Sequence, residues 1–273
     1  MIVVKKDVSQ KIKRMQTDFS NAFNRMNETN ATLKNPNLQG DFNVSVMTIL
    51  LEFDVEFESW MQTDVSWPAN FNVQHMNSGT ISARRNFRNQ VSVKIKHEDG
   101  SKKCCKFFRN GKVHVTGTKS LAEALYTVEG IMGHMYGSAL EFYVELVSFE
   151  IEMLNTGLRM NCSLLLSQLS ELCISKRYQT VYDPTRYPGC KVYIGNCTVL
   201  VFSSGCMILT GCNSCDQMEH AYSTLLNLLD THSDDLVMEA KDGANSKRKR
   251  VKRIHGYPAA LVHCTQGVEI ITL

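Results

Sequence analysis

The sequence predicts an α+β fold in which one half is built twice, and two observations carry that prediction. Residues 107–132, FFRNGKVHVTGTKSLAEALYTVEGIM, recur in degenerate form as residues 201–226, VFSSGCMILTGCNSCDQMEHAYSTLL. Phe108, Gly111, Thr116 and Gly117 answer to Phe202, Gly205, Thr210 and Gly211 at a constant offset, 108 to 202, of 94 residues. The same offset relates Ser120-Leu-Ala-Glu123 to Ser214-Cys-Asp-Gln217, both S-x-x-[E/Q] capping boxes that satisfy orphan amides at a helix start. Each copy reads as a strand, a turn at Asn110-Gly111 or Ser204-Gly205, a second strand, then a helix. The helices carry one apolar stripe each, through Ala124, Val128, Ile131, Met132 and Met135 or through Met218, Tyr222, Leu225 and Leu229. A helix with one apolar stripe needs a sheet to cover, so the expected product is two pseudosymmetric halves, each a curved antiparallel sheet backed by a helix.

Taken in order, residues 7–28 predict a helix with Ile12, Met15, Phe19, Phe23 and Met26 on one face and Asp7 or Ser9 as its cap. It is either an extension packed on its own domain or a helix offered to a partner. Asn-rich residues 27–43 read as a linker, and 43–55 as a long first strand containing Val44, Val46, Ile49 and Leu51. Glu56–Thr63 reads as a short helix holding Trp60, broken at Trp67-Pro68. Val91–Lys96 alternates, Glu98–Ser101 turns and Cys104–Phe108 returns as a strand. In the second half, 140–160 supplies the first strand, 164–172 the short helix, 182–189 a turn-rich link, and 191–194 with 198–202 a hairpin about Gly195-Asn196. Residues 232–254 are polar and basic and read as disordered, while 259–262 and 268–273 suit an edge strand. The domain boundaries expected are 1–41 (helical extension and linker), 42–136 (first repeat), 137–231 (second repeat) and 232–273 (basic tail with an edge strand).

The chain of 273 residues is long enough for one full core. It carries 30 basic and 27 acidic residues, but six of the basic ones lie in Lys247–Arg253, leaving 24 against 27 elsewhere. A near-neutral body weakens broad attraction to nucleic acid, so any such binding must come from a local surface. Lys247–Arg253 is either a nuclear-import or phosphate-contacting tail or a solvated charge run. No apolar signal region and no long apolar run occur, which predicts neither secretion nor membrane spanning. Ten cysteines in that context predict reduced thiols in a reducing, intracellular setting, and the Asn-x-Ser/Thr triplets are then accidental.

Catalysis has little support. The eight histidines show no i, i+4 pairing with a carboxylate, and no nucleophile–base pattern or phosphate-cradling loop occurs. Cys212-Asn-Ser-Cys215 has the spacing of a zinc or redox half-site, but no second C-x-x-C completes it, so two thiols at a helix start is the better reading. The expectation is a protein that is not an enzyme and needs no cofactor or metal.

The element order, with Phe-x-x-Gly-x-x-x-x-Thr-Gly and a following helix appearing twice, resembles the core of the TATA-box-binding protein family. Tyr182-Asp-Pro-Thr-Arg-Tyr-Pro-Gly189 looks like that family's stirrup, and Val201–Gly205 through Leu209-Thr-Gly211 looks like its next two strands. The resemblance covers about residues 42–230 and is divergent, as in factors of large DNA viruses. It implies a saddle whose concave sheet lies in a widened minor groove of duplex promoter DNA, AT-rich in the family. With Phe108 inward, alternation puts Asn110, Lys112, His114 and Thr116 on that side; with Phe202 inward, it puts Ser204, Cys206, Ile208 and Thr210 there.

The family drives pairs of aromatic wedges between base steps. Phe108 and Phe202 match one member of each pair, Tyr187 a second, and Phe87 lies near the remaining one. Ile208, Val46 and Thr210 suit a face that packs against A·T and excludes the guanine amino group. Where the family has a central Asn in each repeat's first strand, this chain has Val44 and Met153, with Asn43 and Asn155 close by but out of register. In the stirrup Asp183 is kept, whereas Thr185 and Arg186 replace an acid and a Leu, which implies dedicated partners among transcription factors or polymerase subunits. The function expected is a transcription-initiation factor that bends DNA, acting in the nucleus or at a cytoplasmic viral replication site. The alternatives are a protein-interaction module on the same fold with weak or lost DNA binding, and a substrate-binding module of a nucleic-acid-processing enzyme.

Overall fold

The computed structural model describes residues 2–57, 69–74, 90–96, 100–136, 143–239, 261–265 and 268–272. Strand β1 (Ile2–Lys5) runs directly into helix α1 (Lys6–Ala31), a 3₁₀ turn at Pro36–Leu38 and the long strand β2 (Gly40–Phe53). Then come β3 (Phe71–Gln74), β4 (Gln90–Lys96), β5 (Lys102–Phe108), β6 (Lys112–Thr118) and α2 (Leu121–Tyr136). The later part repeats the theme with β7 (Val144–Met160), β8 (Cys162–Leu164), α3 (Leu166–Ser175), β9 (Thr180–Val181), β10 (Gly189–Ile194), β11 (Cys197–Phe202), β12 (Cys206–Cys212) and α4 (Cys215–Thr231). It ends with α5 (Ser233–Leu236), β13 (Val237–Glu239), β14 (Leu261–Thr265) and β15 (Val268–Thr272).

The chain divides into two units, residues 1–14, 46–152 and 256–273 in the first and 15–45 and 153–255 in the second. Unit 1 orders its strands β3-β4-β5-β6-β2, all antiparallel, and β1 lies between the start of β7 and β15. Alternation along β4, β5 and β6 sends Val91, Val93, Cys105, Phe107, Val113 and Val115 to one side, where Ala124, Val128 and Ile131 of α2 cover them. Unit 2 orders its strands β7-β12-β11-β10-β9, with Val192, Val199, Val201, Met207 and Leu209 buried on the side of Met218, Tyr222 and Leu225 of α4. In each unit the other face of the sheet has no helix of the described residues over it and is half-buried or exposed along its length.

The duplication extends to turn geometry. Gly111 and Gly205 both have positive φ, +81° and +73°, and their amides donate to Phe108 and Phe202 carbonyls. A Cβ at either would strike backbone carbonyls, of Phe53 and Val55 in one copy and of Cys162 and Met160 in the other, so only glycine fits. Both capping boxes form. Ser120 Oγ accepts from the Glu123 amide at 3.1 Å and Ser214 Oγ from the Gln217 amide at 3.3 Å. Glu123 and Gln217 reach back one residue beyond the cap, to the Lys119 and Asn213 amides.

Several expectations are corrected. The first helix starts at Lys6, straight out of an unforeseen strand, so Asp7 lies inside its first turn and Ser9 is buried rather than capping. Ile12, Phe19, Ala22 and Met26 are buried on the chain's own body, and Arg25 makes a two-nitrogen pair with Glu219, which excludes the helix as an arm held out to a partner. The supposedly disordered stretch from 232 opens with α5 and with β13, which pairs antiparallel with β8. Cysteine was read wrongly as well. Cys197 and Cys212 form a disulfide across the β11–β12 hairpin, so Cys212 finds its partner in the previous strand and not in Cys215. The Glu56–Thr63 helix with Trp60, the Trp67-Pro68 break, Phe87 and Lys247–Arg253 lie largely or wholly outside the described residues. No helix among the described residues is long and apolar enough to cross a membrane.

Candidate nucleic-acid interface

In each unit the helix-free sheet face carries part of the predicted site, unit 1 with Phe108, Lys112, His114 and Thr116 and unit 2 with Met153, Phe202, Ile208 and Thr210. In unit 1, Phe107 is fully buried and Phe108, its neighbour, is half-buried on the open side. Lys112, His114 and Thr116 follow on the same side of β6, between the buried Val113 and Val115. The pleat makes Leu50 face His114 and Lys106 flank it, since these are its register partners on β2 and β5. His114 donates through Nε2 to Glu152 Oε2 at 2.6 Å. Leu50, Phe108, Asn110, Lys112, His114 and Glu152 line a hollow of about 390 Å³.

In unit 2 the matching face holds Thr198, Leu200, Phe202, Cys206, Ile208 and Thr210, with Ile208 37% exposed. Met153 joins them, its Sδ 3.9 Å from Thr210 Oγ1. The Phe202 ring lies 6.0 Å from the Tyr187 ring at 60°, and Lys191 Nζ sits 5.0 Å above Tyr187. Gly189 makes that ring pair possible. It pairs with Phe202 in the strand register, and a Cβ on it would come within 2.8 Å of Tyr187 and 3.0 Å of Phe202. In unit 1 the residue opposite Phe108 is Gln90 in place of a glycine, and Phe87 lies outside the described residues.

The first strands depart from expectation. Val44 follows the parity of Phe42, whose ring packs edge-on against Tyr222 at 4.8 Å on the helix side, so Val44 turns away from the open face. Val46 is half-buried just before a register shift at Met47/Thr48. The open-face residues of this part of β2 are instead Asn43 and Ser45, for a Cβ on Gly157 would lie 2.7 Å from Asn43 Oδ1 and 3.5 Å from Ser45 Oγ. Gly157 is the register partner of the exposed Ile208. Asn155 shares that parity with Met153, and its Oδ1 is buried without a hydrogen-bond partner. An unpartnered amide oxygen of this kind carries a desolvation cost that a ligand donor would remove.

The predicted partner residues sit in an exposed turn. Asp183 Oδ1 accepts from the Thr185 amide and hydroxyl, and Arg186 approaches Asp183 at 3.5 Å. No group of three or more His, Cys, Asp or Glu among the described residues is placed to hold a metal. Burial pushes the Cys162 and Cys173 thiols up to about 11 and the Cys190 and Cys215 thiols up to about 12, which leaves them unreactive near neutrality.

The family model described as transcription factor TFIID (or TATA-binding protein, TBP) matches residues 148–232. Among solved structures the TBP of Methanococcus jannaschii is similar over 70% of this chain and 99% of its own, with a TM-score of 0.52 at 16% sequence identity. No curated protein sequence matches the chain. The sequence likeness to that family lies in the second repeat, and the described strands and helices share the α+β fold of the solved TBP.

Proposed function

We propose that the open sheet faces bind the minor groove of duplex DNA and bend it, and that the protein serves transcription initiation by recruiting dedicated partners through its exposed turns. One observation carries the reading: Phe202 and Tyr187 stand together on the helix-free face, over a glycine that leaves room for both rings. A flat apolar pair at a strand end is what replaces base stacking when a step is opened from the minor groove. Phe108 offers the matching ring in unit 1. Ile208 and Thr210 supply the small, apolar surface that tolerates A·T edges, and Asn43 and Asn155 supply amides. Asp183 and Arg186, in the exposed 182–188 turn, are the surface offered to a protein partner.

Bending of labelled duplexes, followed by fluorescence resonance energy transfer at two salt concentrations, tests this. Phe202→Ala and Phe108→Ala are each expected to reduce bending more than Lys249→Ala, and equal effects would argue against wedges. If neither AT-rich nor random duplexes bend, the fold serves protein interaction alone.

A further inference from the structure

We infer that His114 and Glu152 form a reader of the guanine 2-amino group, so that base steps meeting unit 1 accept G·C where those meeting unit 2 demand A·T; this rests on the DNA-binding reading above. In the minor groove every base pair presents acceptors, adenine N3 or thymine O2 and their equivalents, and the guanine amino is the only donor. A face that reads A·T alone needs apolar groups or donors. An ionised carboxylate only accepts, so it has no partner along A·T and one partner, the guanine amino, along G·C.

Glu152 meets the requirements of such a reader. His114 fixes one carboxylate oxygen at 2.6 Å, and the side chain remains 39% exposed at the rim of the hollow beside Phe108. Lys106 faces His114 across the β5–β6 register, and Lys112 shares its face, which offsets the carboxylate's repulsion from phosphates. A second carboxylate of this face, Glu52, is already engaged: it stands opposite Lys112 and accepts the Ser148 hydroxyl at 2.9 Å.

The duplication supplies an internal control. Ninety-four residues after His114 stands Ile208, exposed, apolar and opposite Gly157. Against Ile208 a guanine amino would be buried without an acceptor, at the cost of an unmade hydrogen bond. The two faces therefore treat the same chemical group in opposite ways.

Base analogues test this on the unaltered full chain. Inosine in place of guanine removes only the minor-groove amino among groove contacts, and 2-aminoadenine in place of adenine adds it. Scanned singly through an AT-rich duplex, guanine is expected to bind about tenfold tighter than inosine at one or two neighbouring positions. At steps meeting unit 2, 2-aminoadenine is expected to weaken binding. The double substitution His114→Val with Glu152→Val, checked for wild-type melting, should erase the guanine preference, so that guanine and inosine bind alike at every position. Bending of the parent duplex with inosine bound as well as guanine at every position overturns the inference while sparing the DNA reading. No bending of any duplex overturns that reading itself.

Discussion

Single positions in this chain are decided by backbone geometry as much as by side-chain chemistry. Gly111 and Gly205 occupy the same turn in two copies, at positive φ and pressed against carbonyl oxygens of neighbouring strands. Gly111→Ala and Gly205→Ala are each expected to cost about 2 kcal/mol or more, measured by denaturant unfolding, because strain and a backbone clash add. Gly100, also at positive φ (+81°) but with open space around its α-carbon, should cost less on the same substitution. Gly189 has a different use. Its hydrogen is the floor under Tyr187 and Phe202, so Gly189→Ala should change bending more than stability. The sequence singled out both rings but passed over this glycine, because its purpose is visible only once β10 and β11 are in register. The same holds for Asn43. One register shift at Met47/Thr48 exchanges the faces of β2, and the apolar run Val46–Leu51 hides that shift from any reading by alternation.

At the scale of elements the two helices α2 and α4 start by one chemistry but are anchored differently. Ser120→Ala and Ser214→Ala are expected to cost about 1 kcal/mol each, a fall in melting temperature of about 2–4 °C. In unit 1 the capping glutamate has a second duty. Lys103 lies on the helix side of β5, 6% exposed, with its ammonium 2.6 Å from Glu123. Removing Glu123 would leave a buried cation unpaired, so Glu123→Ala should cost about 3 kcal/mol, well beyond Ser120→Ala. Combining Lys103→Met with Glu123→Gln should recover most of that loss, and a failure to recover would show that the carboxylate's backbone cap matters more than the pair. Both capping boxes were legible as short motifs because their atoms lie within four residues. Lys103 was not, since a lysine in an alternating strand carries no sign of the helix that will cover it.

For the molecule as a whole, the thiols set a pH limit. Burial raises the Cys162, Cys173, Cys190 and Cys215 thiols from the ordinary 9.0 to between about 11 and about 12, and lifts Cys105 further. The folded state therefore keeps protons that the unfolded chain releases above about pH 9, so stability is intact below that pH and declines as pH rises toward 11. Melting temperatures measured from pH 7 to 11 should fall in that window, and a flat profile would contradict the burial. Reagents for free thiols should likewise react sparingly with these four at pH 8 until the chain unfolds. The two units also interleave along the chain: residues 15–45 belong with 153–255, and 256–273 with 1–14 and 46–152.

What the sequence determined by itself was local or repeated: the strand–turn–strand–helix order, the caps, the paired glycines, and the side of each strand on which Phe108, His114, Phe202 and Ile208 lie. These follow from period-two and period-3.6 patterns and from an offset of 94 residues that lets one copy check the other. Tertiary structure alone decided what depends on register between distant strands, namely the meeting of His114 with Glu152, the Cys197–Cys212 bridge, the exchange of faces in β2 and the docking of α1. The physical reason is that a pleat states which way a side chain points but not which strand lies beside it, and the neighbour is selected by the packing of the whole sheet.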